Sequence, residues 1–247
     1  MIKRAFDLVT SAVGILITSP IWLPSMLLIY LGDRHSPFYV ANRIGLDGQP
    51  FRMIKFRSMV IGADRTGVDS TSTSDSRITP VGAFVRRYKV DELPQLVNVI
   101  KGNMSIVGPR PNVEREVALY TAEESHLLDV RPGITDISSI VFSDEGEILA
   151  GSLDPDLDYN QLIRPWKSRL GLLYVRNACV SLDFRIIWLT VVSLWDRERA
   201  LTGVNQLLND LGADHELQRV ARRRENLVPS PPPGSSDIVR SRGASPE

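Results

Sequence analysis

Residues 6–31 read FDLVTSAVGILITSPIWLPSMLLIYL, and after Asp7 this stretch carries no charge. About 26 apolar residues in one straight helix are enough to cross a hydrocarbon core roughly 30 Å thick. Ser19-Pro20 and Pro24-Ser25 interrupt the middle of the run. A proline removes a backbone donor and crowds the carbonyl four residues before it, so a bend is expected there. The two halves, about 13 and 10 residues, measure roughly 20 and 15 Å and are each too short to span. Lys3 and Arg4 precede the run, and Arg34 and Arg43 follow it. Positive flanks on both sides favour holding both ends on the cytoplasmic side. The stretch therefore predicts a re-entrant helix–break–helix over residues 1–34, with the break at Ser19 and Pro20. A kinked transmembrane helix is the main competing reading. No small-residue cleavage site follows, which disfavours a signal peptide.

The rest of the 247-residue chain is ordinary in composition, with 43% hydrophobic and 23% charged residues. Its formal net charge of zero gives no global attraction to nucleic acid. A single cysteine, Cys179, excludes an intrachain disulfide, and three scattered histidines form no zinc-ligand pattern. Pro37–Ala41 and Pro50–Arg57 flank the turn Gly45–Gly48 and predict a hairpin. Residues 62–79 are rich in Ser, Thr, Asp and Gly and read as a long mobile loop. Helical spacing follows at 81–88, 91–100, 113–128, 162–173 and 182–195. Beyond about Asn205 the chain becomes charged and then proline-rich, which predicts a disordered tail over 205–247. The fold class expected is α+β, a helix-rich body over 35–204 with a small β element.

Two kinds of motif carry candidate chemistry. In Lys89-Val-Asp-Glu-Leu-Pro-Gln-Leu96, adjacent Asp91 and Glu92 sit at the start of an apolar helix. Carboxylates there commonly serve only the helix dipole, but two neighbours also perturb each other's titration and leave one as nucleophile or metal ligand. Arg86, Arg87 and Lys89 add positive charge just upstream. In Val107-Gly-Pro-Arg-Pro111 and Val130-Arg-Pro-Gly-Ile-Thr135, glycine and proline restrict the backbone around Arg110 and Arg131. Such preorganised guanidinium groups suit phosphate oxygens, although either arginine is equally suited to pairing a carboxylate.

Taken in order, the Ser-Pro-interrupted apolar segment, NRIGLDGQPFRMIKFRSM (42–59), VDELPQLVNVIKGNMSIVGPRP (90–111), VRPGIT (130–135) and YVRN with SLDFRIIWLT (174–190) resemble the monotopic phosphoglycosyl transferases of the bacterial sugar transferase family. The resemblance covers roughly residues 2–202. It implies a small catalytic form on the cytoplasmic face of the bacterial inner membrane. The implied reaction is magnesium-dependent: a UDP-sugar gives its sugar 1-phosphate to a polyprenyl (undecaprenyl) phosphate and releases UMP, the first membrane step of surface glycan synthesis. By carry-over Asp91 is the nucleophile and a magnesium ligand, and Glu92 is its catalytic partner. Lys55, Arg57, Arg86, Arg110 and Arg131 are the candidate phosphate cradle. The partners implied are the nucleotide-sugar, the lipid phosphate and the bilayer; self-association is left open. Many relatives continue RPGIT with Gly-Trp-Ala-Gln, whereas this chain has Asp136-Ile-Ser-Ser139, followed by an acidic stretch from Asp144 to Asp158. Sugar preference is therefore not carried over. Two rivals remain: a glycosyltransferase that moves the sugar alone and releases UDP, and a non-enzymatic membrane adaptor.

Overall fold

The computed structural model describes residues 2–66, 70–72 and 75–241. The chain opens with the long helix α1 (Ile2–Asp33) and the hairpin β1 (Phe38–Ile44) and β2 (Pro50–Phe56). Helix α2 (Pro80–Arg87) leads through a tight turn at Val90–Glu92 into α3 (Gln95–Lys101) and the short strand β3 (Ser105–Val107). Then come α4 (Glu114–Val117), β4 (Gly133–Thr135), α5 (Ile137–Val141), α6 (Glu145–Ile148) and α7 (Pro155–Asp158). A wide π-helical turn, Tyr159–Ile163, runs into α8 (Arg164–Asn177), followed by α9 (Val180–Ser193), α10 (Arg197–Asp210) and α11 (His215–Ala221).

The architecture is α+β and helix-rich, as the patterning predicts. β1 and β2 pair antiparallel from Phe38↔Phe56 to Ile44↔Pro50, the hairpin expected around the Gly45–Gly48 turn. β3 and β4 pair parallel, Ser105 opposite Gly133 and Val107 opposite Thr135. The VGPRP and RPGIT motifs thus pack backbone against backbone. A Cβ on Gly133 would lie 2.1 Å from the Gly108 nitrogen, so no side chain fits there. One core runs from Phe51 and Met53 of the hairpin through Val99, Val107, Ile140, Trp166 and Ile186 to Val204, Leu207 and Leu217.

Through the expected break at Ser19 and Pro20 the backbone stays helical, and α1 continues past Pro24. Pro20 has no N–H for the Leu16 carbonyl, and the Ser19 hydroxyl takes that place, donating to Leu16 O at 2.9 Å. The hydroxyl of Thr18 likewise donates to Gly14 O at 2.7 Å. A side chain thus satisfies the carbonyl that Pro20 leaves without its backbone donor, and the helical state is kept. Much of α1 is bare hydrocarbon: Leu16, Ile17 and Leu23 are about 70% exposed. Such a face has no place in water, and α1 is an apolar membrane-associating helix.

The segment over 205–247 departs from expectation. α10 and α11 complete the core through Leu207, Leu208, Leu217 and Ala221. Apolar residues at helical spacing lie inside the charged sequence, and burial of that stripe outweighs the composition. Residues 222–241 then run back over the body as a strap. Ser230 N donates to Gln161 O at 3.0 Å, and Gln161 Nε2 to Val239 O at 2.7 Å. Thr121 Oγ1 donates to Pro233 O at 2.5 Å. Residues 242–247 lie outside the described residues, as does part of the 62–79 loop. Where that loop is described, Arg77 ties it together through Asp75 at 2.6 Å and Ala63 O at 3.1 Å.

Polar contacts fix the first turns of α1 to the body. Asp7 is buried and accepts from Ser105 Oγ at 2.9 Å and Ile106 N at 3.1 Å. Lys3 Nζ lies 2.7 Å from Asp183 Oδ2, and the Tyr174 hydroxyl lies 2.7 Å from Asp183 Oδ1. Arg4 donates to Val99 O and Ile100 O at the C-terminal end of α3. Lys3→Met leaves the buried Asp183 carboxylate without its cation and is expected to destabilise the protein by about 1.5–3 kcal/mol. Lys3→Arg should recover most of the loss in thermal unfolding of detergent-solubilised protein; equal melting temperatures for all three proteins would remove Lys3 from the anchor.

Candidate active site

Lys89, between α2 and α3, adopts a left-handed conformation, with φ +57°. For a residue with a Cβ this costs about 1 kcal/mol, and the chain holds it as part of the turn that reverses direction into Val90–Glu92. That turn carries Asp91 and Glu92 inward: they are only 7% and 8% exposed. Their surroundings differ. Glu92 Oε1 accepts from Lys55 Nζ at 3.1 Å and from Arg110 Nη2 at 2.7 Å. The Asp91 carboxylate has no hydrogen-bond or ion-pair partner among the described residues.

Electrostatics separates the two carboxyls accordingly. Burial and then the Glu92 charge push the Asp91 carboxyl above its ordinary range, against the pull of Lys55, Arg86 and Lys89. Burial also works against ionised Glu92, but Arg110, Lys55 and Lys89 outweigh it and hold that carboxyl well below its usual range. Burial brings the Lys55 ammonium down to about 8, with Glu92 opposing the shift. Glu92 raises the Arg110 guanidinium above its ordinary value. Neighbouring carboxyls pushed in opposite directions are the arrangement expected where one holds cations and the other does chemistry.

Of the residues singled out in the sequence, Asp91, Glu92, Lys55 and Arg110 converge, and Arg86 lies close enough for its charge to act on Asp91. Arg57 lies elsewhere: it pairs Asp33 at the end of α1 and donates to Ser36 O at 2.8 Å. Strand alternation alone would put Lys55 and Arg57 on one face; Arg57 lies just past the end of β2, where Asp33 and Ser36, just ahead of the hairpin, take its guanidinium instead. Arg131 donates to Gly102 O at 2.9 Å, at the C-terminal end of α3. Glu92 precedes the opposite end of that helix, roughly 10 Å away by its seven residues. Arg131 and Arg4 therefore complement the helix dipole at one end, while Arg110 serves the carboxylate pair at the other. Ser19 and Pro20 lie within α1, away from the carboxylates in sequence and on a separate element.

Asn98 is a positioning residue that the apolar pattern of α3 conceals. Buried at 1% exposure, it accepts from Ile54 N at 2.9 Å and donates to Arg52 O at 2.7 Å. It locks α3 to β2 and so sets the reach from Lys55 to Glu92. Its only signal in sequence is an amide inside the stripe Leu96–Ile100. Gln95, 2% exposed with Nε2 unpartnered among the described residues, is a second buried amide beside the pair.

An exposed apolar helix docked on a body with a buried, cation-lined carboxylate pair defines a membrane-associated enzyme suited to anionic substrates. The bacterial sugar transferase family model matches residues 1–197, and the chain belongs to that family. It is an enzyme of the phosphoglycosyl transferase class. The chain is 41% identical over 155 residues to the exopolysaccharide production protein ExoY of Rhizobium meliloti, covering 57% of this chain and 69% of that protein. It is 36% identical over 196 residues to the undecaprenyl-phosphate glucose phosphotransferase of Komagataeibacter xylinus, covering 76% of this chain. It is 34% identical over 198 residues to the UDP-glucose:undecaprenyl-phosphate glucose-1-phosphate transferase of Escherichia coli, covering 77% of this chain. The matches span only 35% and 39% of those two longer proteins.

The raised Asp91 carboxyl has a consequence for stability. The folded state holds that proton more tightly than the unfolded chain, whose ordinary value is 3.8. Ionised Asp91 therefore opposes folding: the cost is absent below pH 3.8 and complete above the raised folded value. Asp91→Asn is expected to raise the melting temperature at neutral pH, with the gain shrinking as pH falls toward 4. A gain of the same size at every pH would show that it comes from packing rather than from the buried charge.

Proposed function

We propose that this enzyme transfers a sugar 1-phosphate from a UDP-sugar to a polyprenyl phosphate through a phosphosugar carried on Asp91. The observation that carries the reading is the unequal carboxylate pair: Glu92 is clamped by Lys55 and Arg110, while Asp91 beside it has no donor on its oxygens. An Asp91 oxygen attacks the β-phosphorus, the bond between that phosphorus and the oxygen bridging to the α-phosphorus breaks, and UMP leaves. An oxygen of the lipid phosphate then attacks the same phosphorus, the acyl-phosphate bond breaks and Asp91 is regenerated. Arg110, Arg86 and Lys89 offset the charge of the diphosphate as two anions approach. Glu92 keeps Arg110 and Lys55 in place and adds the field that makes ionised Asp91 reactive. The names of the relatives, which specify undecaprenyl phosphate and, in one case, UDP-glucose, support the acceptor and donor classes.

The donor set suits magnesium, which takes one or two carboxylates and completes its shell with substrate phosphates and water. Among the described residues no three His, Cys, Asp or Glu side chains cluster, and Asp91 has oxygens free to ligate. Bound there, magnesium supplies positive charge to the diphosphate.

Both ends of α1 are tied to the same body, Lys3 to Asp183 at one end and Asp33 to Arg57 at the other. This favours a helix whose two ends stay on one face of the bilayer, the cytoplasmic one by its positive flanks. In a Cys179→Ser background, cysteines at Ile2 and His35 should react only with reagent supplied from the cytoplasmic side. Labelling of either from the periplasm would make α1 a span.

Incubation of the purified enzyme with UDP-sugar and magnesium, without lipid, is expected to release at most one equivalent of UMP and leave a phosphosugar mass on the peptide containing Asp91. Asp91→Asn should lose turnover by at least a thousand-fold; near-normal turnover would end the covalent scheme. Removing the Lys55 charge raises the Asp91 carboxyl further, so Lys55→Met should move the acid limb of kcat/KM to higher pH. Release of UDP instead of UMP would favour transfer of the sugar alone.

A further inference from the structure

Beside the carboxylate pair lies a second polar cluster, one member of which, Glu145, belongs to the acidic stretch that follows this chain's departure from the usual motif. Glu145 opens α6, Tyr159 opens the π-helical turn, and Lys167 lies in the first turn of α8. Lys167 Nζ pairs with Glu145 Oε2 and sits 5.3 Å from the centre of the Tyr159 ring. The Lys167 and Glu145 side chains are 16% and 29% exposed, and the Tyr159 hydroxyl makes no hydrogen bond among the described residues. The cluster is held rigidly from behind. Arg164 and Ser168, one helical turn apart, both bind the fully buried Glu124, at 2.5 and 2.6 Å. This fixes the rotation of α8 and turns Lys167 toward Glu145. π-Helical turns are rare and are frequently found at functional sites.

Glu145 and Asp136 both act on the Arg110 guanidinium, and Arg110 and Lys89 both act on Glu145, which places the cluster on the flank of the phosphate-facing cations. Its chemistry differs from theirs. Glu145 neutralises Lys167, so the pair carries no net charge to attract another phosphate. It offers ammonium donors, a carboxylate acceptor, a phenol and an aromatic face. That combination suits a neutral polyhydroxylated ring, whose hydroxyls both donate and accept while its C–H face lies on an aromatic surface. In a sugar 1-phosphate such a ring is bonded directly to the phosphate under attack. We propose that Glu145, Lys167 and Tyr159 bind the sugar ring of the donor and set which sugar is accepted. This assignment rests on the reading of the chain as a sugar-phosphate transferase.

The test uses the full-length enzyme in nanodiscs, with UMP release measured on UDP-glucose, UDP-galactose and their N-acetylated counterparts. Glu145→Gln, Lys167→Met and Tyr159→Phe are each expected to raise KM for the preferred sugar ten- to a hundred-fold and to cut its preference over the C4 epimer at least ten-fold. Inhibition by UDP, which lacks the sugar, should stay within two-fold of wild type. If Lys167→Met unfolds, the double variant Glu145→Gln with Lys167→Gln removes both charges together and should show the same loss of preference. Unchanged ratios between sugars in folded variants would overturn the assignment. An equal weakening of UDP inhibition would also overturn it, by placing the cluster on the diphosphate. If the wild-type enzyme releases UMP from none of the donors, the underlying reading fails instead, whatever the variants do.

Discussion

The charge on Glu92 organises the catalytic body. Its carboxylate, buried between Lys55 from the hairpin and Arg110 from the loop after β3, joins three segments distant in sequence. A buried ion is expensive, and it persists only where several donors converge. Here two cations and the nearby Lys89 outweigh the desolvation cost. The same arrangement leaves Asp91 disfavoured as an anion one residue away. A group held ionised against its environment is a better nucleophile than one stabilised by donors, so the role proposed for Asp91 depends on the clamp on Glu92.

Everything around this pair keeps it rigid. Asn98 fastens α3 to β2 by two backbone contacts, and the Gly108–Gly133 approach holds the loop that carries Arg110. On the other side the Glu124–Arg164–Ser168 network fixes α8 and with it Lys167. Reacting groups placed on elements locked by buried polar contacts keep their geometry without reorganising during the reaction.

The membrane helix is joined to this body through charge rather than through hydrocarbon alone. Asp7, Lys3 and Arg4 tie the first turns of α1 to β3, α9 and α3, and Trp22 meets Phe56 edge-on at 5.7 Å. The face turned away remains apolar. Trp188 and Trp195 of the α9 region are 64% and 80% exposed and extend the apolar surface, whereas Trp166 is 2% exposed and belongs to the core. A pair of carboxylates fixed to a helix that lies with lipid is held close to where a lipid-borne acceptor would be found.

Much of this was legible in sequence because the signals are local. A long uncharged run, period-two alternation in residues 50–57 and helical spacing in 91–100 each follow from what neighbouring residues must bury, and they gave the apolar helix, the hairpin and α3. The adjacent carboxylates and the proline-flanked arginines mark candidate chemistry by residue type. What sequence does not contain is distance between segments. Only the fold sends Arg110 to Glu92 and Arg131 to the far end of α3, sends Arg57 to Asp33, and brings Glu145 to Lys167 across 22 positions. Composition misled where tertiary burial prevailed: the charged residues after Asn205 hide a stripe that completes the core. At Pro20 sequence alone does not show that a neighbouring hydroxyl replaces the missing donor: Ser19 satisfies the Leu16 carbonyl and the backbone stays helical. Local pattern determines which elements form, and the convergence of buried charges, set by packing alone, determines where the chemistry lies.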